Sequence, residues 1–480
     1  MHAHATIGLD LAITSKHRAC IVTRGKPDRT MSTSPRPAEL DALLEAAGGP
    51  DHVDVVLEPT GLTWVPVAVY AARQGACVYR VDTRQAHGIR KLLSRDVKSD
   101  QADASALART PDIVPGLRPL PPFDGDVFVL ARLARTRESL VDDRTEVILR
   151  IKALLQAYAP TLAPTLTERS LGGVERVLLR DFLDPRHTLD AGPDGLHAAV
   201  RKAGLDDRAP KASALIHAWF EAAEQTRALY DGCLPFAIAQ RQMQVHLEHF
   251  DAFGDLIAAV EADMAALYRQ LDPRGVYETL PGFGAIVGTT LCAVLGGPET
   301  LVARFPSADH LVSFVGFDPR KNQSGRSDRE GQHISKSGSR LARRHLFLAA
   351  ETARRHDPQL AEFYERLRAR GKHHNCAVVA VAAKLLRRLY AVCKRVVAGA
   401  GDGYEVRDLD GSALTRRQAT ATVRERHPSK AARARAQREE RAKKRAERSA
   451  AGDTRQPEGS SNGLATARPD SRIGETRPVV

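Results

Sequence analysis

The chain has 480 residues, 43% of them hydrophobic, which is enough for two or three domains with their own cores and excludes a peptide or a disordered adaptor. A formal charge of +13 and a pI near 9.6 favour a polyanionic partner. No uninterrupted apolar run reaches the ~18 residues that cross a bilayer, and Met1 to Ala5 lack the basic-then-apolar layout of a secretion signal, so a cytoplasmic protein with no membrane partner is expected.

Strand signals near 6–12, 19–23, 53–58 and 76–81 alternate with helix signals near 38–47, 64–74 and 84–94. That order predicts an α/β layer domain over 1–110, with a first hairpin followed by parallel strands. Two hairpin strands and then strand-helix repeats, with an acid on strand one and another on a later strand, fit the ribonuclease-H-like plan. A proline-rich break at 111–122 precedes a long amphipathic helix at 127–158, and a second long helix is expected at about 234–271. The two can pair antiparallel within one chain or between protomers, and together with a small helical insert at 161–230 they make a coiled-coil linker over 123–275. A mostly helical second domain is expected at 276–400, closing with an apolar helix at 377–397. From 401 to 480 the expectation is a tail, with a basic run at 430–448 and a polar, disordered end. Cys20, Cys77, Cys233, Cys292, Cys376 and Cys393 form none of the close pairs that zinc requires and are expected as small buried hydrophobes.

Four carboxylates carry the chemistry: Asp10 in Gly8-Leu9-Asp10-Leu11-Ala12, Glu58 in Leu57-Glu58-Pro59-Thr60-Gly61, and Asp100 and Asp103 in Lys98-Ser99-Asp100-Gln101-Ala102-Asp103. Acids at the ends of buried strands sit where a sheet presents its site, and a helix begun around Ser99 puts Asp100 and Asp103 on one face. Taken singly, Asp10 and Glu58 read equally well as plain strand-end or turn acids, and the plainer reading of Asp100, more than of Asp103, is a solvated helix face or an N-terminal cap. Together they form a constellation whose mutual repulsion calls for a cation, Mg2+ or Mn2+, bound by oxygen ligands.

In the second domain, Leu280-Pro281-Gly282-Phe283-Gly284 resembles the turn of a helix-hairpin-helix, where Gly282 and Gly284 would let backbone N–H groups approach a phosphate. A simple Pro-Gly helix start is the plainer alternative. Further on, Gly316-Phe317-Asp318-Pro319 leads to Gln323-Ser324-Gly325-Arg326 and then to Ile334-Ser335-Lys336-Ser337-Gly338-Ser339-Arg340. Ser324 in a glycine-flanked, basic loop is suited to meet a phosphate, although composition alone makes it a turn serine. Arg326, Lys336, Arg340, Arg343 and Arg344 are candidates to grip a nucleic-acid backbone.

These motifs, in this order, resemble the IS-one-ten family of insertion-sequence transposases, which includes the Piv/MooV DNA invertases. The similarity covers about 6–105 and 276–397. The resemblance implies a RuvC-like DEDD domain, a coiled-coil linker and a C-terminal serine transposase domain. Asp10, Glu58, Asp100 and Asp103 would then hold the metal, and Ser324 would be the nucleophile. It further implies a recombinase that excises and inserts a mobile DNA element, guided in many members by a bridge RNA, and a dimer or tetramer joined through the long helices. Serine attack fits the chemistry, since a phosphoserine link keeps the bond energy needed to rejoin strands without ATP. Two other readings stand beside it: a metal-dependent nuclease or junction resolvase that uses the acids alone, and a non-catalytic nucleic-acid-binding protein. A sugar-kinase reading of the Asp10 strand lacks a glycine-rich nucleotide loop.

Overall fold

The computed structural model describes residues 5–93, 99–163, 171–230, 232–319, 323–324, 327–328, 333–428 and 438–439. Strand β1 (Ala5–Asp10) buries Ile7 and Leu9 on one side and Gly8 on the other, so it lies in the middle of a sheet covered on both faces. The sheet is completed by β2 (His17–Thr23), β3 (Arg29–Thr33), β4 (Val53–Leu57) and β5 (Cys77–Arg80), in the order β3-β2-β1-β4-β5. The pairs β1–β2 and β2–β3 are antiparallel, whereas β1–β4 and β4–β5 are parallel. Leu9 pairs with Leu57 and Leu57 with Arg80, which aligns the carboxyl ends of the three parallel strands. Strand β3 is absent from the sequence reading. At the sheet edge it needs only backbone pairing, so Arg29-Thr30-Met31-Ser32-Thr33 carries no apolar alternation to betray it.

Helices α1 (Pro37–Ala46) and α2 (Trp64–Gln74) cover the face that carries Ile7, Leu9, Val55 and Leu57. On the other face, α3 (Thr83–Leu93) and α4 (Asp100–Ala108) supply Ala86 and Leu107 to a core with Val56 and Val81. A short α5 (Thr110–Ile113) follows.

Asp124 caps α6 (Gly125–Tyr158) by accepting the Val127 N–H. The insert folds as α7 (Gly173–Asp181), α8 (Pro185–Lys202) and α9 (Pro210–Tyr230), with α8 broken at Gly192-Pro193, before the chain returns along α10 (Phe236–Leu271). The two long helices pair antiparallel within one chain: the Tyr158 hydroxyl donates to Gln242 at 2.7 Å, and Arg137 meets Glu261 at 2.7 Å nearer the other end. Val147, Ile151 and Leu155 interlock with Met243, Leu247 and Phe250, and α7 to α9 pack onto this half. At the opposite end, Leu130, Ala134 and Met264 close on Ala293 of the C-terminal domain.

That domain comprises α11 (Ala285–Leu295), α12 (Pro298–Arg304), α13 (Ala308–Val315), a small hairpin of β6 (Gln323–Ser324) and β7 (Ser327–Asp328), then α14 (Arg340–Ala353), α15 (Pro358–Ala369), α16 (His374–Val397) and α17 (Arg416–Arg426). Val378, Val381, Leu385, Leu386 and Leu389 make α16 its axis. Ala285–Arg304 has the length and mean hydropathy, 1.5, of a membrane span, but it is bent into two helices at Gly296-Gly297 and is mostly buried in this core. The folded region runs past 401: Tyr404 reaches Asp357, and α17 packs on α15. The end at 451–480, and all of the basic run except 438–439, lie outside the described residues. Three cysteines, Cys20, Cys292 and Cys393, are buried as expected, whereas Cys233 and Cys376 are exposed.

Candidate catalytic site at the carboxyl edge of the sheet

Asp10 is the last residue of β1 and Glu58 the first after β4, so the parallel register sets them side by side at the sheet edge. The helix pair of acids reaches the same edge because α4 lies directly on Gly8. A Cβ at that glycine would stand 2.0 Å from the Ala104 carbonyl oxygen and 2.3 Å from the Ala108 nitrogen. Only glycine admits a helix backbone so close to a strand. Ser99 caps α4 by accepting the Ala102 N–H at 3.2 Å, leaving Asp100 and Asp103 in the first turn, where the helix dipole favours negative charge.

The other three acids act electrostatically on Asp10. Asp10 is pushed up to about 6, first by burial and then by the charges of Asp100, Asp103 and Glu58. The carboxylates of Asp10, Glu58 and Asp100 form no hydrogen bond or ion pair with any described residue. Asp103 alone has a partner, since Arg90 Nη1 donates to its two oxygens at 2.9 and 3.1 Å. Repelling oxygen donors of this kind suit a hard divalent cation. As arranged, no three Asp, Glu, His or Cys side chains among the described residues stand close enough to share one ion. Behind Asp10, buried His17 accepts the Ala12 N–H at Nδ1, 3.2 Å away, and burial lowers its pKa, which keeps the ring neutral as that bond requires. The sequence reading singled out neither Arg90 nor His17, because no spacing ties them to the acids.

The same two regions are matched by known proteins. A DEDD transposase family model covers residues 7–160, and one described as the IS116/IS110/IS902 transposase family covers 276–365. The chain belongs to the IS110 family of transposases. An insertion element IS110 protein of Streptomyces coelicolor is 28% identical over 396 residues, which is 81% of this chain and 93% of the relative. The IS900 protein of Mycobacterium paratuberculosis is 27% identical over 298 residues, 62% of this chain and 71% of its own length. The pilin gene-inverting protein of Moraxella lacunata is 33% identical over 118 residues, 24% of this chain and 35% of that protein. The protein is thus a DNA recombinase of the transposase class.

In this transposase Ser324 lies in β6, opposite Ser327 of β7. The arm is closed at its base by the Pro319–Ile334 bridge and by Ser335 N–H on the Asp318 carbonyl at 2.8 Å. Arg326 lies outside the described residues. Lys336 is exposed and is the one described non-glycine residue with positive φ, 55°, in a loop pressed so tightly on α13 that a Cβ at Gly338 would sit 1.9 Å from the Phe314 carbonyl oxygen. Arg340 is exposed at the start of α14.

Arg343 and Arg344 both have partners within the fold, and Arg344 stays exposed. Arg343 donates to the carbonyls of Val315 and Gly338 at 2.9 and 2.8 Å, and Arg344 pairs with Glu138 at 2.6 Å and Asp142 at 3.3 Å. The expected helix-hairpin-helix also lacks its first helix, because a 3-10 turn, Tyr277–Thr279, precedes the glycines. Gly282, at φ 82°, is fixed by its approach to α14, where a Cβ would lie 2.2 Å from the Ala349 carbonyl oxygen. Gly284 begins α11 beside an open cleft of about 450 Å³ bordered by Thr352, His356, Arg416 and Thr420.

Proposed function

We propose that the N-terminal domain is RuvC-like and that the enzyme excises and inserts a mobile DNA element through a serine–DNA intermediate. The observation that carries this reading is the action of three further acids, Glu58, Asp100 and Asp103, on Asp10, which helps raise its carboxyl to about 6 with no cation among the described residues paired to it. Support for the fold comes from the sheet order β3-β2-β1-β4-β5, with an antiparallel first hairpin and acids at the ends of β1 and β4. Asp10, Glu58, Asp100 and Asp103 would hold Mg2+ or Mn2+, which when bound supplies positive charge to a phosphodiester oxygen.

Ser324 Oγ then attacks phosphorus: a serine–phosphate ester forms as one bridging P–O bond breaks, and the hydroxyl proton leaves with the departing strand's oxygen. Attack by the second strand's hydroxyl reverses the exchange and regenerates the serine, conserving one ester bond throughout. Lys336 and Arg340, exposed at the base of the arm and the start of α14, are suited to hold the phosphate. Gly282 and Gly284 border the cleft where backbone N–H groups can meet a second backbone segment. Arg326 joins the basic set on composition. Family resemblance extends the reading to a bridge RNA as guide, and the net charge of +13 suits two nucleic-acid partners.

A homo-oligomer through the long helices has support in Leu149 on α6 and in Ile238, Val245 and Leu256 on α10, all exposed although the two helices pair within the chain. The acids and Ser324 ride on separate parts of the fold, so a site shared between protomers would hold cutting back until the complex is complete.

The test incubates the protein with Mg2+, donor and target DNA, and RNA from the element's flank. A covalent DNA adduct at Ser324 is expected. Ser324→Ala and Asp10→Ala should each lose adduct and joined product by at least about a thousandfold, roughly 4 kcal/mol in the barrier. Cutting and rejoining that survives in Ser324→Ala would instead favour water activation by the acids alone.

A further inference from the structure

Away from the acids, positive charge gathers where the sheet, α6 and α12 meet. Arg80 ends β5, and its guanidinium lies 5.2 Å from the centre of the Trp64 ring at the start of α2. Val78, two residues earlier and on the same side of the strand, is buried with α2, whereas Asp10 shares its side of β1 with Gly8, against α4. Arg80 therefore leaves the sheet on the face opposite the acids.

Arg304, the last residue of α12, donates to the Val294 carbonyl at 3.2 Å and stacks over Phe305 and Phe314 at 5.1 and 4.5 Å. The residue before Val294 is Ala293, packed in a small core with Leu130 and Ala134 of α6, which brings Arg132 and Arg135 to the same junction. The charges act on one another. Arg135 is lowered by burial and then by Arg132 and Arg80, and Arg304 by burial and then by Arg80. Arg80 and Arg135 are exposed, while Arg132 and Arg304 are half-buried.

Neighbouring Arg137 shows what a structural arginine looks like here, paired with Glu261 at 2.7 Å and Glu138 at 3.5 Å. Arg80, Arg132, Arg135 and Arg304 form no ion pair with a described residue, and Asp82 is the acid whose charge acts on Arg80. Four crowded cations from three elements repel each other unless an outside polyanion supplies the counter-charge. Guanidinium groups beside a partly exposed indole suit a phosphate backbone, with a base or sugar against the exposed edge of the ring.

We propose that Arg80, Arg132, Arg135 and Arg304 form a second nucleic-acid surface, on the sheet face away from the acids, that grips a sugar-phosphate backbone without reading bases. It rests on the reading of the protein as a nucleic-acid recombinase and adds to it a non-catalytic strand path.

The test measures binding of a mixed-sequence DNA duplex, and separately of the matching RNA duplex, to the full chain across a salt series without divalent cation. Arg80→Gln/Arg135→Gln should weaken binding about tenfold or more near physiological salt and lower the slope of log K against log salt by about two. Arg80→Lys/Arg135→Lys keeps the charge and should keep the slope. Binding should also shift the emission of Trp64, one of two tryptophans in the chain, the other being buried Trp219. Weakening of both duplexes supports a shared backbone path, and weakening of RNA alone assigns the path to RNA. Full affinity and slope on both probes in the glutamine variant, with the wild type binding normally, overturn the surface and leave the recombinase reading intact. A wild-type chain that binds neither duplex overturns both.

Discussion

Two sets of carboxylates are treated in opposite ways in this molecule. In the C-terminal bundle Asp357, 0% exposed, receives Arg388 at 2.8 Å, the Tyr404 hydroxyl at 2.7 Å and the Leu360 N–H at 2.9 Å. Asp272, 2% exposed, accepts from the N–H groups of Val276 and Tyr277 at 2.9 and 3.0 Å and from the Tyr268 hydroxyl at 3.0 Å. At the sheet edge, Asp10 feels three further acids and pairs with no cation among the described residues. A buried acid whose oxygens are all satisfied from within holds the fold. One left among its own kind is kept for a partner from outside.

The contrast breaks most visibly at Asp357. Asp357→Ala strands Arg388 in the core and removes the cap of α15, so urea unfolding should show a loss of about 3–5 kcal/mol. A loss below about 1 kcal/mol would place Asp357 with the surface pairs and erase the distinction.

The sequence reading and the structure agree most closely where periodicity is strong. Helix α2 and the long pair α6 and α10 follow from unbroken apolar stripes, and the strands carrying Asp10 and Glu58 from apolar runs that end at an acid. Strand β3 and the β6–β7 arm escaped because each is held by backbone pairing, which leaves little trace in side-chain pattern. The bundle's reach beyond 401 escaped because Tyr404 and Val406 are isolated apolar residues in a charged stretch, and a contact with Asp357 far up the chain has no local signal. Arg343 and Arg344 show the same limit from the other side. A basic helix start reads alike whether or not its guanidiniums also meet carbonyls or Glu138, and those partners show only in the packed fold.

A smaller effect sharpens the sheet side of the comparison. Gly8→Ala forces a methyl against the backbone of α4, which has no flexible end to yield, and should cost about 1–3 kcal/mol. Because α4 carries Asp100 and Asp103, recombination should fall further than stability does, and Mn2+ affinity by calorimetry should fall with it. Gly88 in α3 has open space around its Cβ position, so Gly88→Ala should be neutral or stabilising by up to about 1 kcal/mol. Equal losses at both glycines would mean that the close approach at Gly8 has no part in setting the acids.

The smallest effect is the most direct reading of Asp10 itself. Its carboxyl is raised from 3.8 to about 6 in the folded chain, so the fold binds that proton more tightly than the unfolded chain does. The resulting stability is present below about pH 4 and is lost as pH rises through about 6. Above that, the ionised group burdens the fold by about 1–2 kcal/mol once solvent screening at a partly exposed site is allowed for. Asp10→Asn removes the charge, so the variant should melt higher than the wild type at neutral pH without divalent cation, and the gap should close toward pH 4. Added Mg2+ should raise the wild type and leave the variant nearly unmoved, because the ion relieves the repulsion that the substitution has already removed. If the wild type instead gained stability relative to Asp10→Asn between pH 4 and 7, Asp10 would have an internal partner like that of Asp357, and the two regions would follow one rule.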